Sequence, residues 1–207
     1  VTKKPELEKV EALKLKKTKE EDMPSDELVI FNLSDKKETI DSLKSYKLSE
    51  SADWIAYKRN SKSDTALHVR SLDGAKGVQF ADVKEFGFAK KENILYYTTD
   101  STLSTFTPEK GHTVIFEGKG VIKKVAFNKT GDKIAFLYCP DKDSTDTQFS
   151  LYLAENNTRA RIVADKGQNF IPKGWVISEN GDIRFSDNHA LNNRPPGILF
   201  LYICHSD

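Results

Sequence analysis

Cysteine is scarce in this chain, with Cys139 and Cys204 its only two residues of that type, too few for the disulfide framework that staples small secreted domains. We read them as a free pair rather than a bridge, because the geometry of a disulfide is demanding; cysteine usage leaves the redox compartment open. Neither sign of charge is in excess: 32 Lys and Arg stand against 31 Asp and Glu, so no global field directs the chain to nucleic acid. No stretch approaches the roughly 20 apolar residues of a membrane-spanning helix. No signal-peptide apolar region follows Val1, so the chain has none or begins after one. The pentapeptide Gly-x-Ser-x-Gly is missing, and with it the strained strand-to-helix elbow on which a serine hydrolase carries its nucleophile. Zinc spacing, a phosphate-cradling glycine loop and a dinucleotide fingerprint are missing too, Gly118-Lys119-Gly120 being too short to count. No cofactor is implied.

What the chain does have is a repeat. From Leu43 to Gly74 the apolar residues Leu43, Tyr46, Leu48, Ile55, Tyr57, Leu67, Val69 and Leu72 alternate with polar ones, as half-buried strands require. The first part of this window recurs: Leu48, Phe88 and Phe127 are separated by 40 and 39 residues, and so are Tyr46, Phe86 and Val125, then Ile55, Leu95 and Ile134, then Tyr57, Tyr97 and Phe136. A period of about 40 with several short strands per copy belongs to β-propeller blades. The expected fold is therefore all-β, an incomplete propeller of about three to four four-stranded antiparallel blades, in which Leu48, Phe88 and Phe127 share one apolar seam.

Taken in order, residues 1–26 form a Lys- and Glu-rich arm or linker, with Leu7, Val10 and Leu13 spaced for a short amphipathic helix after Pro5. The propeller repeats are expected over 27–188. A partial blade, 27–40, supplies an outer hairpin, and blades follow at 43–81, 83–117 and 122–165. Asp73-Gly74 is the sharpest hairpin signal, and Thr130-Gly131-Asp132 marks another turn. PDKDSTDTQ lengthens one hairpin of the third blade. A fourth copy, 170–188, begins with GWVISENGDIRFSDN and then breaks: the register puts Asn192 and Arg194 where Ile55 and Tyr57 sit. Residues 189–207 are an irregular tail with one strand expected over 198–203. Truncation or a changed reading frame near residue 190 would account for the break.

The candidate ligand or interface residues are Trp175 and Trp54. Trp54 precedes the Ile55 core position and covers a seam between blades on this reading; Trp175 follows Lys173-Gly174 in the loop leading into the fourth copy, where a rim residue would stand. His68, His112, His189 and His205 are far apart and none has a positioned partner in sequence. Asp141, Asp143 and Asp146 approximate a calcium loop, but Thr145, Asp146 and Tyr152 stand where that loop needs other residues, so an acidic solvated hairpin is expected. Asn32, Asn128 and Asn156 head short glycosylation sequons.

The ordered combination of LVIFNLSDKKETI, SLKSYKLSESADWIAYKRN, LHVRSLDG and FIPKGWVISENGDIRFSDN resembles the N-terminal β-propeller, WD40-like in its repeats, of S9 prolyl-oligopeptidase-type serine peptidases of Bacteroidetes. The resemblance covers roughly residues 21–188. It implies a domain that sits over an α/β-hydrolase domain, screens access to its catalytic triad and helps position peptides. None of the family's catalytic residues can be placed on this chain, and no acidic pair matches the amino-terminus-binding motif of the dipeptidyl branch. The resemblance favours a periplasmic or cell-envelope location and a non-catalytic, non-enzyme fragment with a peptide or protein partner. Two rivals stand beside it: a stand-alone propeller-like interaction or ligand-binding protein that completes its sheet as a homo-oligomer through exposed strand edges, and a peptidase whose triad comes from a partner chain.

Overall fold

The structure is a computed structural model and describes residues 1–19, 23–31, 37–91, 93–141, 148–166, 171–186, 199–200 and 203–205, the last two stretches for their backbone alone. The chain divides into two compact units, residues 1–48 with 52–82, and residues 49–51 with 83–207.

The first unit is a six-stranded antiparallel sheet in sequence order: β1 (Thr2–Lys3), β2 (Asp26–Phe31), β3 (Lys37–Leu48), β4 (Trp54–Arg59), β5 (Leu67–Ser71) and β6 (Gly77–Phe80). A helix, α1 (Leu7–Leu15), stands between β1 and β2. Glu8 in its first turn and Lys14 in its last complement the helix dipole. The amphipathic stripe read from the sequence is not buried, however: no residue of α1 is, and Leu7 and Leu15 are 71% and 85% exposed. The sequence also gave no warning of β1, which extends the sheet by pairing Thr2 with Leu28. Strand β3 carries both the second half of the expected 27–40 hairpin and the first strand of the 43–81 copy. It pairs with β2 through Lys37–Leu43 and with β4 through Leu43–Leu48, and turns at Ser42, where φ is 51°. The core of this unit joins Leu28, Ile40, Leu43, Ile55 and Tyr57.

The second unit holds two four-stranded antiparallel sheets. One comprises β7 (Glu85–Phe88), β8 (Leu95–Thr98), β9 (Thr102–Thr107) and β10 (Gly111–Glu117); the other β11 (Val121–Phe127), β12 (Lys133–Cys139), β13 (Ser150–Glu155) and β14 (Arg161–Ala164). Beyond them β15 (Trp175–Ile177) and β16 (Arg184–Phe185) pair antiparallel with β18 (Ile203–His205) and β17 (Leu199–Phe200) respectively. The single strand expected over 198–203 is thus two short ones. Strand β12, KIAFLYC, is buried on both faces because consecutive side chains point to opposite sides. Ile134, Phe136 and Tyr138 pack on Leu103, Ile115 and Phe116 of the preceding sheet. Ala135, Leu137 and Cys139 pack on Leu151, Ile177 and Ile183. Such face-to-face packing of successive four-stranded sheets is the blade-on-blade contact of a propeller.

The repeat is visible in the register. Leu48 pairs with Ile55, Phe88 with Leu95 and Phe127 with Ile134; Tyr46 pairs with Tyr57 and Phe86 with Tyr97. Two details depart from the sequence reading. In the Leu48, Phe88 and Phe127 pairs the buried member is the second-strand residue, with Ile55 and Leu95 at 0% exposure and Ile134 at 3%, whereas Leu48 is 47% exposed and so is no seam residue. Val125 falls inside a bulge between Lys123 and Ala126, so its pairing with Phe136 is broken. The chain passes from one copy to the next through Ser42 and Asp82, both left-handed at φ 51° and 55° and 40 residues apart, and then through Gly120 at φ 153°.

Candidate functional site

The β4–β5 connection, residues 60–66, follows directly on two cations at the end of β4, Lys58 and Arg59. Its backbone is held where it leaves the sheet. The Asn60 N–H donates to the Ser42 carbonyl at 2.6 Å, the Asn60 side-chain amide donates to Ser25 Oγ at 3.0 Å, and the Ser63 N–H donates to Ser61 Oγ at 3.2 Å. Beside it, β3 carries an extra residue. Leu43 faces Arg59 and Ser45 faces Lys58, which leaves Lys44 as the unpaired member of a bulge; a bulge redirects the side chain it carries. Lys44, Lys58, Arg59 and Lys62 consequently line one open concavity of about 700 Å³, together with Ser61 and Ser63. Asn60 and Thr65 complete its wall.

Carboxylates partly offset this charge: Asp41 lies 3.7 Å and Asp64 3.8 Å from Arg59. Asp64 has a second task. His68 Nε2–H donates to its carboxylate at 2.7 and 2.9 Å, and the His68 ring stacks on Tyr57 at 5.0 Å. The carboxylate thus fixes the imidazole and ties the far end of the loop to β5. The concavity offers cations and hydroxyls to solvent, an arrangement that attracts anions.

The same lysine recurs in the other copies. Lys44, Lys84 and Lys123 follow the 40- and 39-residue spacing of the apolar positions. Lys84 pairs with Asp100 at 3.4 Å, and Lys123 forms an ion pair with Glu179. In the first copy the position of Asp100 is taken by Asn60, and Lys44 has no ion pair among the described residues. Reading the sequence for apolar repeats missed this lysine; its spacing was the available signal.

The residues singled out from sequence lie elsewhere. Trp54 is buried in β4 opposite Ser71. Trp175 is half-buried at the head of β15, its N–H donating to the Pro172 carbonyl at 3.0 Å, and it packs against the cluster containing Ile177 and Ile183. Neither lines the concavity. His112 Nδ1 lies 2.5 Å from the Tyr97 hydroxyl. Cys139 is free and buried. Gly118 and Gly120 serve close packing: a Cβ at Gly120 would meet the Cys139 carbonyl at 2.2 Å, and the Tyr138 hydroxyl donates to the Lys119 carbonyl at 2.7 Å. Of the sequons, Asn128 is engaged through its amide with Thr130 and Asp132, and Asn156 sits in a left-handed turn. Asn32, His189, Asn192, Arg194, Asp143 and Asp146 lie outside the described residues. Among the described residues no three His, Cys, Asp or Glu side chains come together as a metal-binding group, and no helix is long and apolar enough to cross a membrane.

The groups with displaced titration are structural. Burial pushes the phenols of Tyr96, Tyr97, Tyr138 and Tyr152 up. Hydrogen bonds from Thr130 and then Asn128 hold the Asp132 carboxyl below the usual range, as the Ser71 hydroxyl and the Ala75 N–H do for Asp73.

No protein-family model matches the chain, and no curated protein matches it in sequence. Solved structures do resemble it. The β-propeller domain of the trilobed protease from Pyrococcus furiosus, described as having an open velcro topology, is 14% identical with a TM-score of 0.53, over 86% of this chain and 59% of that one. TolB from Acinetobacter baumannii is 13% identical with a TM-score of 0.44, over 87% of this chain and 49% of that one. An acylaminoacyl peptidase from Pyrococcus horikoshii is 15% identical with a TM-score of 0.47, over 68% of this chain and 28% of that one. The chain thus spans less than two thirds of the length of each of these proteins. The likeness to the trilobed protease domain shows the fold: the chain is part of a β-propeller, built of antiparallel sheets of four to six strands.

Proposed function

We propose that this chain is a non-catalytic propeller module of the kind that gates substrate access in S9 prolyl-oligopeptidase-type peptidases, Bacteroidetes members being those its sequence resembles. The observation that carries the reading is the threefold recurrence of one cross-strand pair, Leu48 with Ile55, Phe88 with Leu95 and Phe127 with Ile134, in a chain whose fold resembles the propeller domain of a protease. The sequence supports it further by lacking Gly-x-Ser-x-Gly. On this reading the module engages peptide or protein in the periplasm or cell envelope, and any peptide hydrolysis belongs to a hydrolase domain that the 207 residues do not contain. The purified chain is expected to leave peptide p-nitroanilides uncleaved and to take no label from a fluorophosphonate probe. Stoichiometric labelling of a serine would overturn the proposal.

A further inference from the structure

We infer that the concavity between β3 and the β4–β5 loop is a binding site for an acidic peptide segment, with Lys44 as its central cation. The inference does not depend on kinship with peptidases, because it rests on an internal comparison. A lysine recurs in sequence at the 40- and 39-residue spacing of the copies, and in the second and third copies a carboxylate of the chain meets it, Asp100 for Lys84 and, from a different part of the chain, Glu179 for Lys123. The first copy departs from the second in three ways. Asn60 stands where the second copy has Asp100, Lys44 is the unpaired residue of a bulge, and Lys58, Arg59 and Lys62 gather on the same concavity. In both other copies the group that meets this lysine is a carboxylate, the chemistry an acidic peptide would supply to Lys44.

Size and chemistry narrow the ligand further. A depression of about 700 Å³ is far larger than a single oxyanion needs and suits several residues of extended chain. Lys44 and Lys62 are exposed, so their ammonium groups sit on flexible stems, as suits several mobile carboxylates rather than one rigid anion. Arg59, the planar donor best adapted to phosphate, is already flanked by Asp41 and Asp64. Ser61 and Ser63 add donors for the peptide backbone or for side-chain oxygens.

The test is fluorescence anisotropy of a labelled hexaglutamate peptide with the full 207-residue chain at low ionic strength. A Gly-Ser peptide of equal length serves as the neutral control and tripolyphosphate as the competing anion. Binding is expected for hexaglutamate alone of the two peptides, weakening as salt is raised. The double variant Lys44→Glu/Lys62→Glu should weaken it roughly tenfold or more. The exposed Lys90→Glu/Lys129→Glu pair, which changes net charge equally, should leave it within about twofold. Lys44→Gln/Lys62→Gln, with thermal melting to confirm folding, should give an intermediate loss. Failure of hexaglutamate to bind, equal losses in the two charge-reversed pairs, or displacement by tripolyphosphate at lower concentration than by unlabelled hexaglutamate would each overturn the inference. Fluorophosphonate labelling of the same preparation reports separately on the non-catalytic reading.

Discussion

Ala52 and Gly131 occupy equivalent positions in the first hairpin of their copies, and both backbones are left-handed, at φ 55° and 82°. A β-carbon is disfavoured there by about 1–2 kcal/mol. Ala52→Gly should therefore stabilise the protein by about 0.5–1 kcal/mol, part of the relief being offset by the entropy of glycine in the unfolded chain. Gly131→Ala should destabilise it by about 1–2 kcal/mol, since the new Cβ would also stand 3.1 Å from the Lys91 carbonyl. Urea unfolding of the two variants checks this, and shifts of the same sign would refute the equivalence. The turn at Gly131 was legible, because Thr-Gly-Asp is a turn signal in its own right. The matching strain at Ala52 was not, because alanine announces no left-handed conformation.

Tyr96 supplies a pH prediction at the same scale. Its phenol is raised first by burial and then by the Glu85 carboxylate, to which its hydroxyl donates at 3.1 Å. A group whose value is raised in the folded state contributes its stability in full below the unfolded value, about 10 for tyrosine, and loses it as pH climbs through the folded one. Stability in urea should hold at about pH 8 and fall above about pH 10, and Tyr96→Phe should flatten that alkaline slope. An unchanged slope would show that the phenol is not held neutral by its surroundings. Asp132 works in the opposite sense: its lowered value supports the fold at neutral pH and ceases to do so as acid protonates it.

Among elements, β12 best shows what alternation does when both faces are covered. Phe136 is fully buried, stacks on Tyr152 at 5.4 Å and meets Phe116 edge-on at 5.1 Å. Phe136→Ala should cost about 3–5 kcal/mol. Leu48→Ala, at a position that the spacing groups with Phe88 and Phe127, should cost about 0.5 kcal/mol or less because Leu48 is half-exposed. Comparable losses in thermal or urea unfolding would place Leu48 in the core after all. The contrast marks the limit of pattern reading. A period of two tells which residues share a face, but whether that face meets another sheet or water depends on elements the period does not see. The same limit hid the lysine site. Its members come from a bulge in β3, the end of β4 and a loop, and they converge only once the register between β3 and β4 shifts by a residue.

At the scale of the molecule, the copies were legible because hairpin repeats are local and the strands of the larger sheets follow one another in sequence order, whereas in the last copy β15 and β16 take their partners, β18 and β17, from the chain's final residues. The two-residue β1 was not legible, being too brief to carry a period, and the strand expected over 198–203 was legible only as one strand, not as the separate β17 and β18. Among the described residues β6 and β14 are the last strands of their sheets, and such edges pair readily with other chains. We therefore expect light scattering to show an apparent mass rising with protein concentration; a strictly monomeric mass throughout would count against self-association through these edges.

Hydrogen exchange tests the repeat most directly, because backbone protection follows the hydrogen-bonded core of each blade rather than any single side chain. The slowest-exchanging amides should recur in Trp54–Arg59, Leu95–Thr98 and Lys133–Cys139, the second strand of three successive copies, with Leu7–Leu15 exchanging fast. Protection concentrated in that helix, or scattered without the 40- and 39-residue spacing, would contradict a fold built of repeated blades.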